Sequence, residues 1–189
     1  MIIILSAVGS TGKTVMAQRL LETYKIPYLS LDHLKMGLYK GDKNCGFTPL
    51  DSTEHIGDRL WPIVKGMTMT AIENKQHLII EGCYFLPHYL HDLDPFYLNK
   101  IIPVFMGFSE KYIRVNYEGD IVTFRNAIEQ LITPEERSLE EMIEEHGAFK
   151  ARCVQAGVPY FEISMNYEKE TAEIDHYINT EKQKIELKE

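Results

Sequence analysis

Cysteine is scarce in this chain: Cys45, Cys83 and Cys153 are odd in number, lie far apart and form no CxxC pair. That excludes a disulfide framework or a cysteine-rich metal centre as the organising device, and a reduced, cytoplasmic setting is expected. Positive charge is also short, with 20 Lys and Arg against 28 Asp and Glu and a formal charge of -8. Such a chain repels phosphate backbones and acidic membranes, so nucleic-acid readout is not expected and any bound anion must be caught locally. The apolar run Ile2 to Val8 has no basic residues before it and enters a glycine-rich turn. It fits a buried strand rather than a signal peptide or a membrane span. The histidines make no zinc pattern, since His88 and His91 stand without a matching carboxylate or cysteine set. No internal repeat or low-complexity tract is present.

What remains is the profile of one globular domain: 189 residues, 44% hydrophobic and 25% charged. Five short apolar runs, Ile2 to Ser6, Tyr28 to Leu31, His77 to Glu81, Ile101 to Met106 and Tyr160 to Ile163, alternate with helix-compatible stretches. That alternation predicts an α/β fold with a parallel sheet covered by helices. Lys13 to Lys25 reads as an amphipathic helix with Val15, Met16, Leu20 and Leu21 on one face. Ser52 to Asn74 reads as a longer helix that Pro62 should end or kink. The charged stretch Glu181 to Glu189 reads as a frayed or exposed helical tail.

The segment Ala7-Val8-Gly9-Ser10-Thr11-Gly12-Lys13-Thr14 matches the P-loop pattern with Ala in the first glycine position. The chemistry explains the residue types. Backbone N–H groups of Gly9, Ser10, Thr11 and Gly12 can wrap a phosphate chain, Lys13 can reach the β and γ phosphates, and the Thr14 hydroxyl can bind Mg²⁺. The motif follows an apolar strand and opens a helix whose positive end faces the anion.

Two carboxylates stand at further strand ends. Asp32 follows the second run, where in open α/β sheets it would border the ligand crevice and could take a proton from a substrate hydroxyl. It is equally an ordinary helix N-cap. Glu81 closes the run His77-Leu78-Ile79-Ile80-Glu81-Gly82. A carboxylate there suits a Walker-B-type acid that orients Mg²⁺ or acts as base, because burial of an ionised Glu calls for a nearby cation.

Together, the P-loop after the first strand, the carboxylate after the second and the EG ending after the third resemble the nucleoside-monophosphate-kinase-like group of P-loop kinases, over Met1 to about Tyr177. The resemblance implies a single three-layer P-loop NTPase domain over residues 1–189, with a five-stranded parallel sheet of order 2-3-1-4-5. It also implies an acceptor-binding insertion over 34–55 and a helical lid over 114–152 that brings arginines to the phosphoryl group. Adenylate kinases show Asp-Gly-Phe-Pro-Arg after the third strand. Here Glu81-Gly82-Cys83-Tyr84-Phe85-Leu86-Pro87-His88 has no arginine and is similar instead to 2-phosphoglycerate-kinase-like and other small-molecule kinases.

Four of the six arginines, Arg114, Arg125, Arg137 and Arg152, fall between the fourth and fifth strands. A planar guanidinium suits charge spread over phosphoryl oxygens, and Arg114 and Arg152, which flank the segment, are the preferred candidates. Arg137, set in Pro134-Glu135-Glu136-Arg137, reads as a surface ion pair. Asn166, after the fifth strand, is placed by the resemblance in a loop against adenine. Lys35, Lys40 and Arg59 are available for an anionic acceptor, although scattered basic residues are commonly plain surface. The expectation is an ATP- and Mg²⁺-dependent small-molecule kinase, monomeric or homodimeric, with catalytic residues Lys13, Asp32, Glu81, Arg114 and Arg152 and metal ligands Thr14 and Glu81. A nucleoside monophosphate kinase and an ATP-binding regulatory switch are the alternatives.

Overall fold

The structure is a computed structural model and describes residues 1–124 and 137–187. In chain order, its first half runs β1 (Ile2–Ala7), α1 (Lys13–Tyr24), β2 (Tyr28–Ser30), α2 (Leu31–Gly41), α3 (Thr53–Glu73) and β3 (Leu78–Glu81). A 3-10 segment (Pro87–Asp92) and α4 (Pro95–Leu98) lead to β4 (Ile101–Phe108) and α5 (Glu110–Asn116). A π-helical turn (Tyr117–Ile121) and α6 (Val122–Phe124) follow, then α7 (Leu139–Gln155), β5 (Tyr160–Ile163) and α8 (Tyr167–Glu186).

All strand pairs are parallel, in the order β2-β3-β1-β4-β5. β1 lies at the centre, which is why it is apolar except for Ser6: alternate side chains enter opposite cores. Ile3, Leu5 and Ala7 pack with Met16, Ala17 and Leu20 of α1, Ile113 of α5, and Ile174 and Ile178 of α8. Ile2 and Ile4 pack with Ile56, Leu60 and Val64 of α3 and with Phe149 and Cys153 of α7. On that second face Trp61 stacks on Tyr89 with ring centroids 4.7 Å apart, and Phe85 meets Trp61 edge-on at 5.5 Å. This is a three-layer α/β arrangement. Among the described residues, no helix is long and apolar enough to cross a membrane.

Three local expectations change. α3 runs through Pro62 without interruption, because Pro62 and Asp58, whose carbonyl loses its helical donor, are both on the exposed side of the helix. The buried face of α1 is Lys13, Met16, Ala17 and Leu20, whereas Val15 points outward. α8 continues to Glu186 because Ile185 docks into the core with Ile174 and Ile178, so the tail is anchored for most of its length. Residues 139–152 of the expected lid lie in α7, whose Met142, His146, Phe149 and Cys153 are buried. Arg125, Glu135 and Glu136 lie outside the described residues.

Candidate active site

The register of the sheet gathers the motifs on one edge. Glu81 of β3 pairs with Leu5 of β1 and with Ser30 of β2, so the P-loop after β1, Asp32 just after β2 and Glu81 itself sit at neighbouring carboxyl ends. The Ser6 hydroxyl donates to the Phe85 carbonyl at 2.8 Å and ties the end of β1 to the loop after β3.

Within the P-loop, Ser10 and Gly12 hold left-handed conformations at φ 62° and 80°. The non-glycine Ser10 marks local backbone strain. Gly12 is the N-cap of α1, and a Cβ there would strike the Tyr167 hydroxyl. At Gly9 the Arg137 guanidinium occupies the space that a Cβ would fill, so Arg137 lies directly against the loop. Thr11 donates its hydroxyl to the Val8 carbonyl at 2.5 Å. Lys13 is largely buried in the first turn of α1, and Thr14 beside it is half-buried.

Asp32 is not the N-cap of α2; Ser30 occupies that position and Asp32 lies in the first helical turn. One turn on, Lys35 is buried at 8% exposure, with Nζ donating to Tyr84 Oη at 2.6 Å and to Asp32 Oδ1 at 3.2 Å. Lys35 is therefore a buried, partnered group rather than plain surface. Lys40 is exposed, and Arg59 donates through Nε to the Cys45 carbonyl at 3.2 Å. The Glu81 carboxylate is 1% exposed. Among the described residues, no three His, Cys, Asp or Glu side chains converge as a metal cluster.

The two arginines favoured from the sequence both stand in ion pairs between helices. Arg114 on α5 donates to Glu110 at 2.9 Å and to Glu140 of α7 at 3.1 Å, and hydrogen bonding to these carboxylates, Glu140 foremost, raises its pKa. Arg152 on α7 pairs with Glu54 of α3. Both join helices to one another. Arg137, just before α7, does form the expected ion pair, with Glu145 at 3.1 Å, yet its guanidinium also lies over Gly9. Ser138 and Glu141 form a capping box that begins α7, so Arg137 stands immediately before the helix.

After β5, residues 164–166 form a turn organised by one carboxylate. Glu170 Oε2 accepts from the backbone N–H groups of Ser164, Met165 and Asn166 at 2.9, 3.0 and 3.0 Å. Burial works against its ionised form, but these donors prevail and hold its pKa below the ordinary value. The Asn166 side-chain oxygen caps α8 by accepting from Lys169 N at 2.9 Å. Glu170 carries no sequence signal, and Tyr167 enters the sequence reading only as the last residue of the segment Ser164-Met165-Asn166-Tyr167 that the resemblance places against adenine. Their roles depend on α8 lying against the P-loop, and no local pattern signals that.

No family model and no curated protein matches this chain. Solved structures do. A candidate kinase from Chloroflexus aurantiacus superposes with a TM-score of 0.53 at 14% identity, covering 95% of this chain and 96% of that one. Shikimate kinase from Aquifex aeolicus gives 0.51 at 14%, covering 95% and 97%. An uncharacterized protein from Eubacterium ventriosum gives 0.50 at 18%, covering 95% and 98%. At such identities the likeness is one of fold: this chain has the three-layer α/β fold of P-loop kinases, with the strand order expected.

Proposed function

We propose that this protein is an ATP-dependent small-molecule kinase that moves the γ-phosphoryl of MgATP to a hydroxyl of its acceptor. The observation that carries the reading is one arrangement: a strained glycine loop opening α1, with Asp32 and Glu81 on the two adjacent strand ends. The loop amides bind the phosphate chain, and Lys13 neutralises charge on it. Thr14 and the buried Glu81 are hard oxygen donors of the kind Mg²⁺ takes alongside phosphate oxygens. MgATP, when bound, supplies the phosphoryl group. Asp32 accepts the proton of the acceptor hydroxyl as that oxygen attacks, while Lys35 keeps the carboxylate in place. Arg137 is better placed than Arg114 or Arg152 to meet the phosphoryl oxygens, since it already lies against the loop. Residues 34–55 would border the acceptor, and a structural neighbour being a shikimate kinase supports a small molecule in that place.

The test is ADP release from the wild-type protein with a panel of hydroxyl-bearing metabolites and nucleoside monophosphates. One non-nucleotide acceptor should stimulate it, and Lys13→Ala, folded as wild type, should lose about 10²-fold or more. Stimulation by a nucleoside monophosphate alone would replace the acceptor assignment. Near-normal turnover in Lys13→Ala would remove the P-loop from the mechanism.

A further inference from the structure

The back of the P-loop carries a contact that the proposed reaction does not use. Tyr167, first residue of α8, directs its hydroxyl at two P-loop carbonyl oxygens, Gly12 O at 3.3 Å and Thr11 O at 3.4 Å. Its ring meets Phe108 edge-on with centroids 6.4 Å apart. Burial raises the phenol's pKa, so the hydroxyl stays a neutral donor.

A trans peptide is planar, with its C=O and N–H pointing in opposite directions. The carbonyl of Thr11 shares a peptide plane with the N–H of Gly12, and the carbonyl of Gly12 shares one with the N–H of Lys13. A donor that holds those two oxygens from behind therefore fixes the direction of two amides in front. The rest of the loop follows the same logic. The Thr11 hydroxyl holds the Val8 carbonyl, which is paired with the Gly9 amide, and Met16 N donates to the Gly12 carbonyl at 3.0 Å. Those contacts come from within the P-loop and α1. Tyr167 is the contribution from the far end of the chain, following directly on the turn that Glu170 organises. Gly12 completes the fit, because a side chain there would displace the phenol.

We infer that Tyr167 is a positioning residue for phosphate binding, aiming the Gly12 and Lys13 amides by holding the carbonyls behind them. The inference rests on the P-loop being the phosphate site, and its test separates the two. Binding to wild type and to Tyr167→Phe is measured for magnesium tripolyphosphate, which offers phosphates alone, for adenosine, which offers none, and for MgADP. Phe retains the ring packing, and an unfolding midpoint within about 4 °C of wild type marks the fold as intact. Loss of a shared hydrogen bond should weaken tripolyphosphate and MgADP by about 3- to 10-fold while adenosine binding stays unchanged. Equal tripolyphosphate affinity in both proteins overturns the inference. So does a parallel loss for all three ligands, which would show general loosening. Wild type that binds neither tripolyphosphate nor MgADP overturns the P-loop reading itself.

Discussion

In the proposed reaction the groups the P-loop would offer to a ligand are main-chain amides, steadied by Thr11, Met16 and Tyr167. Around Asp32 they are side chains drawn together from α2 and from the loop after β3, with the Lys35 ammonium between Asp32 and Tyr84. The first kind of site recognises what every phosphate chain has in common. The second can be rewritten by a few substitutions without disturbing the sheet, which is how one fold serves many acceptors. The difference also separates binding from chemistry: damage at the loop should be felt by the nucleotide, and damage at Asp32 by the transfer step.

The sharpest way to break that division is Asp32→Asn. Removing the proton acceptor should lower acceptor-dependent turnover by about 10²- to 10⁴-fold. MgATP affinity, measured by calorimetry, should stay close to wild type, because Asp32 contacts Lys35 rather than the P-loop. If nucleotide affinity fell in step with turnover, the two ends would be one electrostatic unit. Glu81 would then be the better candidate for base.

The same division explains what could be read from the sequence. A loop made of consecutive backbone groups is written in consecutive residues, so the placement of Gly9 to Thr14 between β1 and α1 was legible, as were the positions of Asp32 and Glu81 beside the ends of apolar runs. The strand order followed from the resemblance those residues carry. Lys35 looked like surface because its burial depends on Tyr84, 49 positions away. Arg137 looked like a plain surface ion pair because its neighbours are acidic. Only the docking of α7 carries it to Gly9, and that docking rests on Met142, His146, Phe149 and Cys153 meeting the sheet. Pro62 does not end α3, because the carbonyl that loses its donor faces water rather than the core.

A smaller effect is expected from the arginines, and here the comparison extends to α7. Arg137→Ala should reduce turnover by about 10²-fold, as loss of a preorganised donor commonly does. Arg114→Ala and Arg152→Ala should leave it near wild type, because each guanidinium holds carboxylates on neighbouring helices. Steady-state kinetics on the three variants decides this. A loss confined to Arg114 or Arg152 would return the phosphate-facing role to the residues the sequence favoured.

The smallest effect probes how firmly α7 carries Arg137. His146 Nδ1 accepts the Phe108 backbone N–H at 2.8 Å, and the imidazole stacks on the Phe108 ring. Burial, with the Arg137 charge adding to it, pushes the His146 pKa from 6.5 down to about 4. A lowered native value means that between these two limits the unfolded chain binds a proton that the folded chain refuses. Stability is then full above about pH 6.5 and lost as the pH falls toward about 4. Between pH 7 and pH 5 the expected loss from this group is about 2 kcal/mol. Urea unfolding at both pH values measures it, and His146→Asn, whose side-chain oxygen can still accept the Phe108 N–H, corrects for carboxylates that titrate over the same range. The pH-dependent loss should shrink by about 2 kcal/mol in His146→Asn. If wild type and His146→Asn lose stability in parallel, His146 protonates in place without unfolding. α7 would then be a loosely held mount, and the position of Arg137 over Gly9 would be one of several it visits.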